Sequence, residues 1–130
     1  MYKFGKTSQA RLETSDNRLK EISSHVINII DHTVLQGHRT KEEQNDYFHK
    51  GLSKLEYPNS KHNTLPSKAI DVAPYPIDWN DIPRFTQLVG AYKGVALMLG
   101  YKIRCGCDWD GDGDIRDQSF MDYPHIEILD

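Results

Sequence analysis

Residues 69–74 read AIDVAP. Ile70 and Val72 alternate with Ala69, Asp71 and Ala73, the two-residue period of a strand, and Pro74, which cannot donate to a ladder, ends it. A strand at this place, set among helical periodicities, decides the fold class. Upstream, Thr33-Val34-Leu35 is short and β-branched and reads as a strand that delivers Gln36, Gly37, His38 and Arg39 to its C-terminal end. Downstream, the segments from Tyr101 to Cys105 and from His125 to Leu129 read as the final strands.

Helical signals surround these strands. Leu12, Leu19, Ile22, Val26, Ile29 and Ile30 recur at helical steps and predict one amphipathic helix ending near Asp31. Thr40 with Glu43 fits a capping box, opening a second helix through Tyr47 and Phe48 that stops at Gly51. Asp81 to Leu99 reads as a third, closed by Gly100. Between the second helix and the AIDVAP strand, residues 51–67 are polar and contain two prolines, a long loop that carries His62. Helices interleaved with short strands, without regular crossovers, predict an α+β fold with a small, mainly antiparallel sheet and about three helices.

The whole chain of 130 residues is of a size for one domain, and no linker, repeat or low-complexity tract divides it. Its 38% hydrophobic and 27% charged residues are those of a globular protein, and no apolar run approaches the ~20 residues of a membrane helix, so no membrane insertion is expected. A net charge of -3 gives no basic footprint for nucleic acid. The start, MYKFGKTSQARLE, has no apolar core of a secretory signal, which implies synthesis in a cytoplasm. Cys105 and Cys107, one glycine apart, read as buried thiols of a reducing compartment.

Three residues are candidates for metal ligation: His62 in the loop, Asp71 on the strand after it and His125 on the last strand. Each alone is more often a surface or capping residue. Together, two imidazoles and a carboxylate hold zinc while leaving a position open for water, the donor set of a hydrolytic site. Asp122, three residues before His125 across Tyr123-Pro124, is placed to act as a general base; Glu127 is the rival, since residues two apart on a strand share a face.

The stretch Ser60-Lys61-His62 through Ala69-Ile70-Asp71, followed by Asp122-Tyr123-Pro124-His125, resembles the Ser-x-His, Ala-x-Asp, Asp/Glu-x-x-His pattern of the zinc peptidases that include D-Ala-D-Ala carboxypeptidases and VanY-like enzymes. Gln36-Gly37-His38-Arg39-Thr40, with Gln44, also matches. From Phe4 onward the similarity is closest to phage endolysins that cut the L-alanyl-D-glutamate bond of peptidoglycan.

The resemblance implies a Hedgehog/D-Ala-D-Ala peptidase-like fold, zinc held by His62, Asp71 and His125, Asp122 as base, and Arg39 stabilising the oxyanion or holding a substrate carboxylate. It sets Gln36 and Ser60 near substrate. It further implies a monomer made in a host cytoplasm, released to the wall through a holin and acting on the stem peptide. A D-Ala-D-Ala carboxypeptidase would share the same catalytic residues, and a non-catalytic zinc module on the same fold is the alternative of another class. Eight residues, NTLPSKAI, separate His62 from Asp71, two more than the family pattern, and are expected to bulge at the rim of the cleft.

Residues 108–119 form a second constellation. Asp108, Asp110, Asp112 and Asp114, with Gly113 at position six, follow the front of a calcium loop, while Ser119 stands where such a loop presents a bidentate Glu. Four carboxylates this close repel one another unless a cation neutralises them. Because Asp122 and His125 follow directly, calcium here is expected to modulate the catalytic half-site.

Overall fold

The computed structural model describes residues 1–113 and 122–130. Helices α1 (Lys6–Glu13) and α2 (Asn17–Val26) lead into strand β1 (His32–Gln36), followed by α3 (Lys41–His49), β2 (Ala69–Pro74), α4 (Ile82–Leu99), β3 (Lys102–Cys105) and β4 (His125–Leu129). The strands form one antiparallel sheet in the order β1-β2-β4-β3. This is the expected α+β arrangement. The described residues form four α-helices, because the first predicted helix is two.

The break has a local cause. Asp16 accepts a hydrogen bond from the Arg18 N–H and caps α2, while Asp16 N–H donates to Ser67 O at 2.8 Å and Ser67 N–H to Thr14 O at 2.9 Å. The chain between the helices is thereby stitched to the segment entering β2. Leu12 and Leu19 still reach the same core, so the apolar period runs across the break. Ile29, read as part of that period, lies beyond the end of α2 and is 60% exposed.

One face of the sheet is covered. Val34, Ile70, Val72, Ile126 and Ile128 pack there with Leu19, Ile22 and Val26 of α2 and Leu88, Val89 and Tyr92 of α4. Burial of these side chains, each worth roughly 1.5–3 kcal/mol, is the main force fixing the sheet. The buried Tyr92 hydroxyl is satisfied by Ser23 Oγ and His32 Nε2, both at 2.9 Å. Along β1, Ser8 Oγ accepts from Val34 N–H and Arg11 donates to Val34 O, so α1 closes that edge of the sheet.

The long segment after α3 is partly ordered by its own polar groups. A 3₁₀ turn, Lys61–Asn63, is capped by Ser60, whose Oγ accepts from His62 N–H while Asn63 Oδ1 accepts from Ser60 N–H. Residues 64–66 bulge into solvent, and Lys68 N–H closes the bulge by donating to Lys61 O at 2.9 Å. The extra residues between His62 and Asp71 are therefore accommodated outside the chain path that joins them. Among the described residues, no helix is long and apolar enough to cross a membrane.

Candidate active site

Alternation along the strands settles what the uncovered face of the sheet carries. With Ile70, Val72, Ile126 and Ile128 in the core, Asp71 of β2 and His125 and Glu127 of β4 point the other way. Asp71 lies opposite His125 on one side and Gln36 on the other. Gln36 takes that place through a β-bulge between Val34 and Gln36, which turns a side chain of core parity onto the open face. His62 arrives from above on its capped turn.

His62 Nε2 is 3.2 Å from Asp71 Oδ1, and His125 Nδ1 is 3.6 Å from the same oxygen. One ligand atom from each of the three residues falls within 4.8 Å of the others, a group that can hold a metal ion. Its chemistry fits that role, because both ring tautomers are set. His62 Nδ1–H donates to Gly37 O at 2.7 Å, and His125 Nε2–H donates to Glu127 Oε1 at 2.8 Å, leaving His62 Nε2 and His125 Nδ1 as lone pairs toward Asp71.

The electrostatics agree with a cation-seeking site. Burial pushes the Asp71 carboxyl up, but the two histidines overrule it and hold it well below the usual carboxylate range. Burial alone disfavours charge on His125, yet its hydrogen bonds to Asp71 and Glu127 lift it to about 9. Glu127 is likewise opposed by burial and held low by His125 and Arg104.

Arg39 is buried beside this group and is held on all sides. Its Nε donates to Gln36 Oε1 and its Nη1 to Gln44 Oε1, both at 2.9 Å; Nη2 lies 3.4 Å from Asp71 Oδ2, and the guanidinium covers the Tyr47 ring. Gln44, fully buried, also donates to Ser53 Oγ and Leu55 O. Gln36 is thus a partner of Arg39, and Ser60, which lines the cleft, caps the turn bearing His62.

Asp122 lines the same cleft, a cavity of about 320 Å³ also lined by Arg39, His62, Asp71, Arg104 and His125. Burial, then repulsion from Asp71, pushes its carboxyl up, the direction a general base needs. Its backbone is fixed by Gly106: Asp122 N–H donates to Gly106 O and Gly106 N–H to His125 O, both at 2.8 Å. A side chain at Gly106 would overlap the Asp122 carbonyl. The glycine between Cys105 and Cys107 is therefore a requirement of the site, while the two thiols are free and buried, as expected.

Asp108, Asp110 and Asp112 bring their carboxylates within 4.8 Å of one another, a second group that can hold a cation. Asp108 is buried: its Oδ2 accepts from Lys93 Nζ at 2.8 Å and Gly113 N–H at 3.0 Å, and its Oδ1 has no hydrogen-bond partner among the described residues. Asp114 and Ser119 lie outside the described residues. Arg104 was not among the expected site residues. Its signal was the period of β3, where Ile103 and Cys105 turn to the core and Arg104, between them, to the cleft.

Comparison with known proteins brings three findings. The family model of the phage L-alanyl-D-glutamate peptidases matches residues 1–129. The L-alanyl-D-glutamate peptidase of Escherichia phage T5 is 35% identical over 137 aligned positions that cover 98% of either chain. The crystal structure of the Serratia marcescens L-Ala D-Glu endopeptidase ChiX shares the fold, with a TM-score of 0.78 at 19% identity over 98% of this chain and 91% of that one.

Proposed function

Since the chain belongs to the phage L-alanyl-D-glutamate peptidase family, we propose that it is a zinc-dependent endolysin that hydrolyses the L-Ala-D-Glu amide of the peptidoglycan stem peptide. The observation that carries the metal is the His62, Asp71, His125 group with both histidine tautomers turned toward it. Two imidazoles and one carboxylate are a hydrolytic zinc set, and bound zinc would supply Lewis acidity toward the scissile carbonyl and the attacking water.

The chain's own residues do the rest. Asp122, half-buried in the cleft, takes the proton from the attacking water at its carboxylate and returns it to the leaving amine of D-Glu. Arg39 supplies a fixed positive charge for the oxygen that becomes negative; its bonds to Gln36 and Gln44 mean that little reorganisation is needed when that charge develops. Glu127, with one oxygen on His125 and the other on Arg104, positions a ligand and is not the base.

Calcium in the acidic loop is proposed to modulate this activity. The buried Asp108 Oδ1, without a hydrogen-bond partner among the described residues and beside Asp110 and Asp112, supports a cation there, with Asp114 as the further expected donor. Digestion of purified peptidoglycan followed by mass spectrometry tests the main reading. Fragments ending in L-Ala, paired with fragments beginning at the D-Glu amine, are expected. Release of terminal D-Ala alone would replace it with a carboxypeptidase.

A further inference from the structure

The substrate proposed above carries a negative charge beside the bond to be cut. In a stem peptide, D-Glu is joined onward through its γ-carboxyl, so its α-carboxylate stays on the carbon bearing the scissile nitrogen. A cleft that accepts this residue needs a cation for it on the leaving-group side. Arg39 is already committed to Gln36, Gln44 and Asp71.

Arg104 is placed differently. It stands on β3 at the opposite edge of the sheet from Arg39, in register with Glu127 and lining the same cleft as His62, Asp71, Asp122 and His125. Its Nη2 donates to Glu127 Oε2 at 2.9 Å, and its guanidinium lies 5.8 Å from the centre of the Trp109 ring. Two neighbours thus fix its plane, yet the side chain remains 41% exposed, and the buried Nε has no hydrogen-bond partner among the described residues. Among the described residues, the other lysines and arginines lining the cleft besides Arg39 are Lys54 and Lys61, both exposed ammonium groups on flexible stems. A planar guanidinium whose orientation is already set is the better match for a carboxylate.

We infer that Arg104 is a substrate-binding residue that recognises the free α-carboxylate of D-Glu, making the enzyme selective for stem peptides in which that group is not amidated. The inference rests on the proposed L-Ala-D-Glu activity. Arg39 and Arg104 then divide the work from opposite edges of the sheet, one serving the scissile carbonyl and the other the residue that leaves.

The test uses two synthetic stem peptides that differ only at this position, one with the D-Glu α-carboxylate and one with the carboxamide. Wild-type protein loaded with zinc is expected to favour the carboxylate by roughly tenfold to a hundredfold in kcat/KM, a range set by one charge-assisted pair. Arg104→Gln should bring the ratio toward one, chiefly by raising KM for the carboxylate peptide, and Arg104→Lys should restore part of it. A role confined to holding Glu127 would slow both peptides and leave the ratio intact, which would overturn the assignment. So would a wild-type enzyme that cuts both equally, or a ratio that collapses in Lys61→Gln and not in Arg104→Gln. A wild type that cuts neither at this bond would overturn the activity itself and the assignment with it.

Discussion

His125 and Glu127, two residues apart on the last strand, are joined on the open face of the sheet by a 2.8 Å hydrogen bond from Nε2 to Oε1. The other Glu127 oxygen accepts a hydrogen bond from Arg104 Nη2 at 2.9 Å, so both oxygens of this carboxylate are already engaged. Asp122, pushed up by burial, is the proposed base. Asp122→Asn is therefore expected to keep its metal and fold while kcat falls ~10²-fold or more. Glu127→Gln should instead weaken metal affinity ~10- to 100-fold. Zinc competition with a chelator, alongside kcat on a stem peptide, separates the two; the reverse pattern would exchange their roles.

The metal itself is open to direct measurement. About one zinc per chain is expected in the purified protein, and His125→Ala should lose both the zinc and lytic activity. Elemental analysis of that variant decides, since full zinc retention would remove His125 from the ligand set.

Gly106→Ala tests the backbone that places the base. The new methyl group meets the Asp122 carbonyl, and the two backbone hydrogen bonds of Gly106 tie Asp122 and His125 to the same residue. Activity and zinc affinity should fall together, with thermal stability lowered by ~1–3 kcal/mol as for an overpacked site. Wild-type kinetics in this variant would show that the loop absorbs the methyl group without moving Asp122.

This glycine also marks what the sequence made legible. The strands around Asp71 and His125 and the capped helix after Thr40 could be placed from period and pattern, because a half-covered strand repeats every two residues, while the grouping of His62 with Asp71 and His125 rests on the family resemblance. The break between α1 and α2 could not, because it depends on Ser67 reaching back across the chain to Thr14 and Asp16. Likewise, Gly37 supplies the carbonyl that orients His62, a partnership 25 residues apart that no local motif encodes. Arg104 escaped notice for the same reason: its value comes from Glu127 and Trp109, one across the sheet and one beyond the strand.

His32 gives a pH dependence unrelated to the metal ligands. Burial lowers its pKa below the ordinary 6.5, outweighing the Ile30 carbonyl and Asp31. Its Nδ1–H donates to Ile30 O, so the neutral ring accepts from the Tyr92 hydroxyl at Nε2, and burial disfavours the charge that a second proton would bring. The unfolded chain binds that proton more readily, so this contribution to stability is full above pH ~6.5 and is lost as pH falls from there through the lower folded pKa. NMR titration should find the His32 ring titrating below the ordinary 6.5. A His32 ring that titrates at 6.5 or above would remove the effect.

The last expectation concerns calcium. Asp108 is neutralised on one oxygen by Lys93 and has no hydrogen-bond partner for the other among the described residues, while Asp110 and Asp112 bring their carboxylates to the same place. Calcium would relieve that repulsion. The sequence continues from this loop to Asp122, whose backbone is bonded to Gly106 as Gly106 is to His125, so an ordered loop is expected to steady the proposed base and a proposed ligand. Ser119 replaces the bidentate Glu, and Lys93 competes as an internal cation, so affinity should lie at the weak end, ~10⁻⁵ to 10⁻³ M. Such a site would stay empty in a cytoplasm poor in free calcium and fill outside the inner membrane, delaying full activity until release. A calcium titration of lysis in zinc-replete buffer should therefore show activation in that range, reversed by a calcium-selective chelator and absent from Asp110→Asn/Asp112→Asn. Lysis indifferent to calcium in wild type and variant alike would reduce the loop to a solvated turn.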